Sequence, residues 1–356
     1  MIEDHYNPCE RINQFIDDGQ LEITDILGIG AYGIVYAAKH VTTGKSYAVK
    51  CIIKANLDAR QQKFQYTEIN LHAKLSGHPN IIRLEKVIES DEMIDIILEY
   101  CNEGDLFSII TEKGGYIGND YLIKSVFIQI LDAVLFSHRH GIYHRDLKPE
   151  NILVFDQGKT IKLADFGLAT TELCSNDFGC GSTFYMSPEC QGGFYKKLQI
   201  YETAPNDVWS LGIILINLTC GRNPWKQASI HDETFAAFIK NKDFLKKIFP
   251  ITDELNSILL DIFALDPKNR ISLCELRDRI LNCTSFTVTN NKYHDDEINK
   301  AIQESSSDDG YYNEEEEDNG NDTNSNHSLD KLHNNIKNNI KISLFSLTSY
   351  TSDTEI

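Results

Sequence analysis

Between Leu21 and Ile53 apolar and polar positions alternate, and the apolar ones are rich in β-branched residues: Leu21, Ile23, Ile26 and Leu27, then Ile34, Val35 and Tyr36, then Tyr47 to Ile53. Turn residues separate these runs, with glycines from Gly28 to Gly33 and then Thr43-Gly44-Lys45. Alternation broken by such turns predicts an antiparallel meander. The period then changes. Glu68, Leu71 (with His72) and Leu75 are spaced to lie on neighbouring helical faces, and His78-Pro79-Asn80 ends that helix. Two more strands are expected at Ile81 to Val87 and Met93 to Leu98, followed by a polar connector, Glu99 to Asp105. Tyr121 to His140 predicts a long amphipathic helix that turns Leu122, Val126, Ile130, Leu131, Val134, Leu135 and His138 to a core. Val208 to Cys220 is apolar nearly all round, as in a buried helix, and Asp207 is placed to cap it. A last helical section opens at Leu265-Asp-Pro-Lys-Asn-Arg270-Ile271 and ends near Leu281. A strand-rich small lobe hands over to a helix-rich larger one.

Both ends read differently. Residues 1–20 are polar and are expected to be a loosely held lead-in, without the apolar core of a secretory signal. From Cys283 the composition shifts to Asn, Asp, Glu and Ser, with too little apolar surface to offset chain entropy, so residues 283–356 are expected to be a disordered tail. Within it, Ile340 to Leu347 is a short apolar candidate for docking. Ser305 to Asp309 resembles an acid-directed phosphorylation site, although such runs are common in disordered tails.

The net charge of −19 changes this picture little. Residues 283–356 carry 15 acids against 5 bases, or −10, which leaves −9 for residues 1–282. Nucleic-acid binding through a basic face is not expected. No apolar run approaches the roughly 20 residues of a membrane span, so no membrane partner is expected. Nine cysteines without any Cys-x-x-Cys spacing suggest reduced thiols and a cytoplasmic or nuclear location.

Candidate chemistry centres on Tyr143-His-Arg145-Asp146-Leu-Lys148-Pro-Glu-Asn151-Ile-Leu153. Asp146 can accept a proton from a hydroxyl, Lys148 can neutralise phosphate charge, and Asn151 can offer a metal ligand. Upstream, Gly28, Gly30 and Gly33 have the G-x-G-x-x-G spacing that lets a backbone lie over phosphates. A dinucleotide-binding fingerprint would open a helix and place an acid about 20 residues on. Here a strand continues, and Val49-Lys50-Cys51-Ile52-Ile53 holds no acid. Lys50 sits inside an apolar strand, and Glu68 follows on a helix that can return to pair with it. Taken singly, Lys50 reads first as a solvent-facing strand lysine, and Glu68 also fits a solvated helix glutamate. Downstream, Asp165-Phe166-Gly167 ends a short strand, a polar and mobile-looking stretch runs from Leu168 to Cys180, and Gly181-Ser182-Thr-Phe-Tyr-Met-Ser187-Pro188-Glu189 follows. Cys174, Cys180 and Cys190 fit either a redox switch or ordinary thiols. His138, His140 and His144 lie at a helix end and a loop, and read as structural.

In order and spacing these motifs resemble the eukaryotic protein kinase family from about Leu21 to Leu281. The resemblance implies an α+β, bilobal fold: a β-rich small lobe with one helix (21–98), a hinge (99–105) and a helical larger lobe (106–282). It implies ATP as substrate with Mg2+, and Gly28, Gly30 and Gly33 over the phosphates with Leu27 beside them. Lys50 would contact the α- and β-phosphates, paired with Glu68. Val35, Ala48 and Leu153 would sandwich the adenine behind Leu98, with Glu99 and Cys101 offering backbone groups and Asp105 meeting the ribose. Asp146 would be the catalytic base, Lys148 the lysine near the γ-phosphate, and Asn151 and Asp165 the metal ligands. Glu189 and Arg270 would form a buried pair. Lys148 two residues after the base is the serine/threonine pattern, with Ser182 touching Asp146 and Lys148. Protein substrates are implied by Pro188-Glu189 and Arg270 rather than small molecules, and basic residues near the acceptor by acids such as Glu103 and Asp105. A scaffold of the same fold lacking activity is the rival reading, opposed by the presence of Lys50, Asp146, Asn151 and Asp165. Arg145 implies an anion pocket, yet the usual phospho-acceptor position is Phe178. Either Asp177 supplies part of the charge and phosphorylation is dispensable, or Ser175 is the acceptor. Gly179 to Cys190 is similar to a fungal group of regulatory kinases linked to nutrient response and entry into meiosis, and the tail is a candidate site for regulators.

Overall fold

The alternation in residues 21–53 becomes three strands of a larger sheet. A computed structural model describes residues 6–288 apart from 31–32, 56, 113–114 and 194–197. Strands β1 (Phe15–Ile16), β2 (Leu21–Gly30), β3 (Gly33–His40), β4 (Ser46–Ile53), β5 (Leu84–Glu89) and β6 (Met93–Glu99) form one antiparallel sheet in the order β1-β2-β3-β4-β6-β5. Period-two alternation gives this sheet two faces. Val35, Ala48, Lys50, Ile96 and Leu98 turn to a cleft, while Tyr36, Val49, Cys51 and Ile97 join a separate outer core. The strand expected from Ile81 begins at Leu84 instead. Its predecessors are engaged elsewhere, since Ile82 N–H donates to Leu163 O at 2.9 Å and Leu163 N–H to Asn80 O at 2.8 Å.

Helix α1 (Ala59–Leu75) opens on a capping box between Asp58 and Gln61 and buries Glu68, Leu71, His72 and Leu75. Beyond the connector lie α2 (Leu106–Glu112), α3 (Asp120–Arg139), β7 (Ile152–Phe155), β8 (Thr160–Leu163), β9 (Cys174–Ser175), β10 (Tyr201–Glu202) and α4 (Thr203–Cys220). Helices α5 (Glu233–Lys240), α6 (Phe244–Ile248), α7 (Asp253–Ile262) and α8 (Leu273–Asn282) complete the larger lobe. Asn119 caps α3 through its side chain. Alone among the described helices, α3 is long and apolar enough to cross a membrane, and it is the lobe's core helix. Every residue of α4 from Asn206 to Thr219 is buried, as its all-round apolarity predicts. The helix begins at Thr203, so Asp207 lies inside it and is not its cap.

Both ends depart from expectation. Residues 6–20 are not loosely held. Asn7 caps a 3-10 turn at Pro8–Arg11, and Arg11 is buried against Asp95. At the other end, Cys283 and Phe286 are buried, and Val288 N–H donates to Pro250 O at 2.9 Å. The packed chain therefore runs six residues past the expected boundary at 282, because two apolar side chains amid polar neighbours suffice to anchor it. Residues 289–356, with Ile340 to Leu347 and the acidic run, lie outside the described residues.

Candidate active site

A cleft of about 360 Å³ separates the sheet from the larger lobe. Leu27, Val35, Ala48, Lys50, Glu68, Glu99, Cys101, Asp105, Asn151, Leu153 and Asp165 all line it, and so does Leu98. Gly28 and Gly30 lie on β2 opposite Val35 and Gly33. A Cβ on Gly33, with φ at +150°, would sit 2.2 Å from the Cys51 carbonyl oxygen, so a side chain there would push β3 off β4. Residues 31–32 lie outside the described residues. Glu99 turns its carboxylate to Lys162 of β8, accepting two bonds at 2.7 and 2.8 Å, and so ties the hinge to the larger lobe. Asp105 accepts the Ser108 N–H at 2.7 Å in the first turn of α2.

Lys50 Nζ donates to Glu68 Oε1 at 2.5 Å and lies 3.6 Å from Asp165 Oδ1. Burial favours its neutral amine, but the two carboxylates overcome that and hold the ammonium charged. Burial likewise opposes ionisation of Asp165, and Lys50 and His144 nonetheless hold its carboxyl below the usual range. Behind this pair the Phe166 ring lies 5.1 Å from His72 and 5.2 Å from His144. His72 Nε2 bonds the Ile82 carbonyl at 2.7 Å, and burial lowers its pKa to about 4, so it donates as a neutral imidazole.

Asp146, Lys148 and Ser182 close a triangle. Ser182 Oγ donates to Asp146 Oδ1 at 2.9 Å, while Lys148 Nζ reaches Asp146 Oδ2 at 2.8 Å and Ser182 Oγ at 2.9 Å. Asn151 Nδ2 donates to the Asp146 backbone carbonyl at 2.9 Å, which leaves its own carbonyl oxygen to receive a ligand. A Cβ on Gly181, with φ at +108°, would stand 2.5 Å from Arg145 O. Two non-glycine residues here adopt left-handed backbones, Arg145 at φ 64° and Asp165 at φ 59°. Each such conformation costs on the order of 1–3 kcal/mol and persists only where surrounding bonds impose it. For Arg145 those bonds come from Asp207, whose carboxylate accepts the N–H groups of His144 at 2.9 Å and Arg145 at 2.8 Å, and His138 Nε2 at 2.8 Å. The residue expected to cap α4 therefore positions the loop at His144 and Arg145 from the middle of the lobe.

The Arg145 guanidinium points away from Asp146. Its Nε donates to Leu168 O at 2.7 Å, and Nη1 lies 3.3 Å from both Ser175 Oγ and Asp177 Oδ2. The stretch expected to be mobile is tied down. Tyr143 and Thr170 exchange backbone bonds at 2.8 and 2.9 Å, and β9 pairs with β10. Phe178 packs 5.7 Å from Tyr201 in a cluster with Met186 and Cys190. Burial pushes the Cys180 and Cys190 thiols up to about 12, which makes them ordinary packing thiols rather than reactive ones.

The buried Glu189–Arg270 pair implied by the resemblance is present. Arg270 forks onto both oxygens of Glu189, with the Nη2–Oε2 bond at 3.1 Å, and also donates to Pro205 O and Ala264 O at 2.9 Å. Ser187, in place of a small apolar residue, donates its hydroxyl to Asn206 at 2.9 Å. Of the acids expected to attract basic substrates, Glu103 is engaged with the Gln157 and Gly158 N–H groups. Asp105, the other, is taken up by the Ser108 N–H. Glu150, which sequence reasoning did not name for this role, lines the cleft, and its Oε2 is buried without a hydrogen-bond partner.

Among the described residues no group of three or more His, Cys, Asp or Glu could hold a metal unaided. Asp165 and Asn151 offer a carboxylate and an amide oxygen, hard donors of the kind Mg2+ accepts when phosphates complete its shell. The residues present fit that ion. Sequence reasoning missed His72, Ile82 and Ile96 at the rear of the cleft, and Asp207 behind the loop. The helical spacing of His72 with Glu68 was the one signal that could have placed it.

The description Protein kinase domain matches residues 21–280. The negative regulator of sexual conjugation and meiosis of Schizosaccharomyces pombe is 49% identical over 299 residues, covering 79% of this chain and 63% of its own length. Serine/threonine-protein kinase VHS1 of Saccharomyces cerevisiae is 34% identical over 338 residues, covering 78% and 72%. The SNF-related serine/threonine-protein kinase of Homo sapiens is 34% identical over 268 residues, covering 73% and 33%. The chain thus spans less than two thirds of the first relative's length.

Proposed function

The chain belongs to the protein kinase family, and we propose that it transfers the γ-phosphoryl group of ATP in line to serine and threonine hydroxyls of proteins. The observation that carries this reading is the triangle of Asp146, Lys148 and Ser182, joined through Asn151 to the cleft that Lys50 and Glu68 line. Asp146 orients the acceptor hydroxyl and takes its proton, Lys148 offsets charge on the transferred group, and Lys50 holds the remaining phosphates. Asp165 and Asn151 would hold a magnesium ion, which would neutralise phosphate charge when bound. A degenerate peptide library with ATP and magnesium tests the acceptor: phosphate on serine and threonine is expected, and phosphate on tyrosine alone would overturn it.

Basic residues beside the acceptor are expected to be favoured, through Glu150. Burial raises its carboxyl above the usual range, so its charge, and with it the preference, fades earlier as pH falls than an exposed glutamate's would. Library selection of acidic flanks, or a preference unchanged in Glu150→Gln, would contradict this.

Activation-segment phosphorylation is expected to be dispensable. Asp177 and Ser175 already meet Arg145, and Phe178 anchors the segment on Tyr201 where a phosphate would otherwise do so. Phosphatase-treated protein and Ser175→Ala should both keep activity within about threefold. A dead Ser175→Ala variant would identify Ser175 as a required phosphosite. The 49% identical relative carries restraint of conjugation and meiosis in its name, and a place in nutrient-responsive or meiotic signalling is proposed for this chain too. Its expression in fission yeast lacking that relative should restore restraint of meiosis, and failure to do so would separate the two roles.

A further inference from the structure

The family match begins at residue 21, yet the chain before it is built into the small lobe. Gln14 O accepts the Ile23 N–H at 2.9 Å, Asn13 N–H donates to Ile23 O at 2.8 Å, and β1 pairs with β2. Tyr6 and Tyr36 share a hydroxyl bond at 3.2 Å, and the Tyr36 hydroxyl also donates to Pro8 O at 3.3 Å. Arg11 then reaches under this cover. Its Nη1 and Nη2 donate to the two oxygens of Asp95 at 2.7 and 2.5 Å, and its guanidinium stands 5.6 Å over the Tyr36 ring. Arg11 and Asp95 are 6% and 4% exposed, so this pair is desolvated on both sides.

The register places the pair directly behind the catalytic lysine. On the central strand β4, Cys51 faces Asp95 across to β6, and the preceding residue, Lys50, faces Ile96. Successive residues point to opposite faces. Lys50 and Ile96 therefore line the cleft while Cys51 and Asp95 lie under the segment 6–16, one residue away along each strand. Two apolar side chains of similar volume would hold such a site about as well as a buried ion pair does. A fork onto a carboxylate adds direction: it fixes which residue of the segment sits over β4.

We propose that residues 6–16 form a strap over the outer face of the sheet, and that Arg11, through Asp95, is a positioning residue for Lys50. Loss of Arg11 leaves Asp95 buried without a counter-charge, and the strap must open to let water reach it. β4 and β6 then lose their outer support, and Lys50 loses its fixed place against Glu68. Displacement of a catalytic group by about an ångström costs on the order of a hundredfold in rate.

This inference rests on the phosphotransfer reading, and its test separates the two. Full-length Arg11→Ala, Arg11→Lys and Arg11→Met/Asp95→Leu are compared with the unaltered chain for ATP affinity by calorimetry, for KM and kcat, and for alkylation of Cys51 by iodoacetamide mapped by mass spectrometry. Arg11→Ala should weaken kcat/KM for ATP by about ten- to a hundredfold and expose Cys51 to alkylation. Arg11→Lys, which keeps the charge without the fork, should fall between, and it carries the test should Arg11→Ala not fold. The double variant, which removes the stranded charge, should restore both readouts to within about threefold. ATP affinity and kcat/KM within twofold of the unaltered chain in Arg11→Ala, even with a lower melting temperature, would reduce the strap to a stabilising element and overturn the proposal. So would a double variant as impaired as Arg11→Ala. An unaltered chain that binds ATP without turnover would instead overturn the phosphotransfer reading, and the affinity and alkylation arms would still decide the strap.

Discussion

Asp146→Asn is expected to lower kcat by about 10²–10⁴-fold while leaving ATP affinity nearly unchanged. The asparagine keeps the shape of the aspartate and one acceptor oxygen, so Lys148 or Ser182 retains a partner at about the present 2.8–2.9 Å. What it loses is the basicity that takes the acceptor's proton and the charge that holds Lys148 in place. The cleft proposed for ATP is lined by Val35, Ala48, Lys50 and Leu153, and Asp146 is not among its lining residues. Steady-state kinetics with peptide and ATP varied in turn, beside calorimetric ATP titration, separate the two effects. A loss below about tenfold would remove Asp146 from the role of base.

Arg270→Ala is expected to have the second large effect, on stability. Its guanidinium is nearly enclosed: it forks onto Glu189, donates to the Pro205 and Ala264 carbonyls, and lies 5.0 Å over the Trp209 ring. Truncation leaves Glu189, itself 4% exposed, as an uncompensated buried charge. Breaking such a pair typically costs about 3–5 kcal/mol, whereas an exposed pair is worth about 0–1. For a domain of this size the loss corresponds to a melting temperature lower by roughly 10 °C. Urea unfolding of the two proteins measures it. A change below about 1 kcal/mol would mean that the platform from Gly181 to Glu189 is held by its other contacts, such as Ser187 to Asn206.

The parts of the fold that were legible in the sequence are those written in local spacing. Alternation marked β2 to β4, and the all-round apolar run marked α4. The resemblance to the protein kinases also implied which residues would meet, Lys50 with Glu68 and Ser182 with Asp146 and Lys148, pairings 18 to 36 positions apart that spacing alone left open. What stayed hidden depends on partners far along the chain. Asp207 looks like a cap because it precedes an apolar run, but its carboxylate answers backbone N–H groups more than sixty positions earlier. Arg11 looks like a solvated charge in a polar lead-in until Asp95, 84 residues away, lies beneath it. Glu103 looked available for substrate because nothing in the sequence shows that the turn at Gln157 and Gly158 would claim it. Phe178 read as a missing phospho-acceptor, and its packing on Tyr201 turns that absence into an anchor.

The central claim is phosphotransfer, and the most direct measurement is incorporation of phosphate from γ-labelled ATP into protein substrate, with and without magnesium, by the unaltered chain and by Asp165→Asn. Asp165 is held ionised beside Lys50 at 3.6 Å, and asparagine removes the charge with little change of shape. The account predicts magnesium-dependent incorporation on serine and threonine by the unaltered chain and its loss in Asp165→Asn. No incorporation by the unaltered chain on any broad substrate, or incorporation that survives in Asp165→Asn, would contradict it.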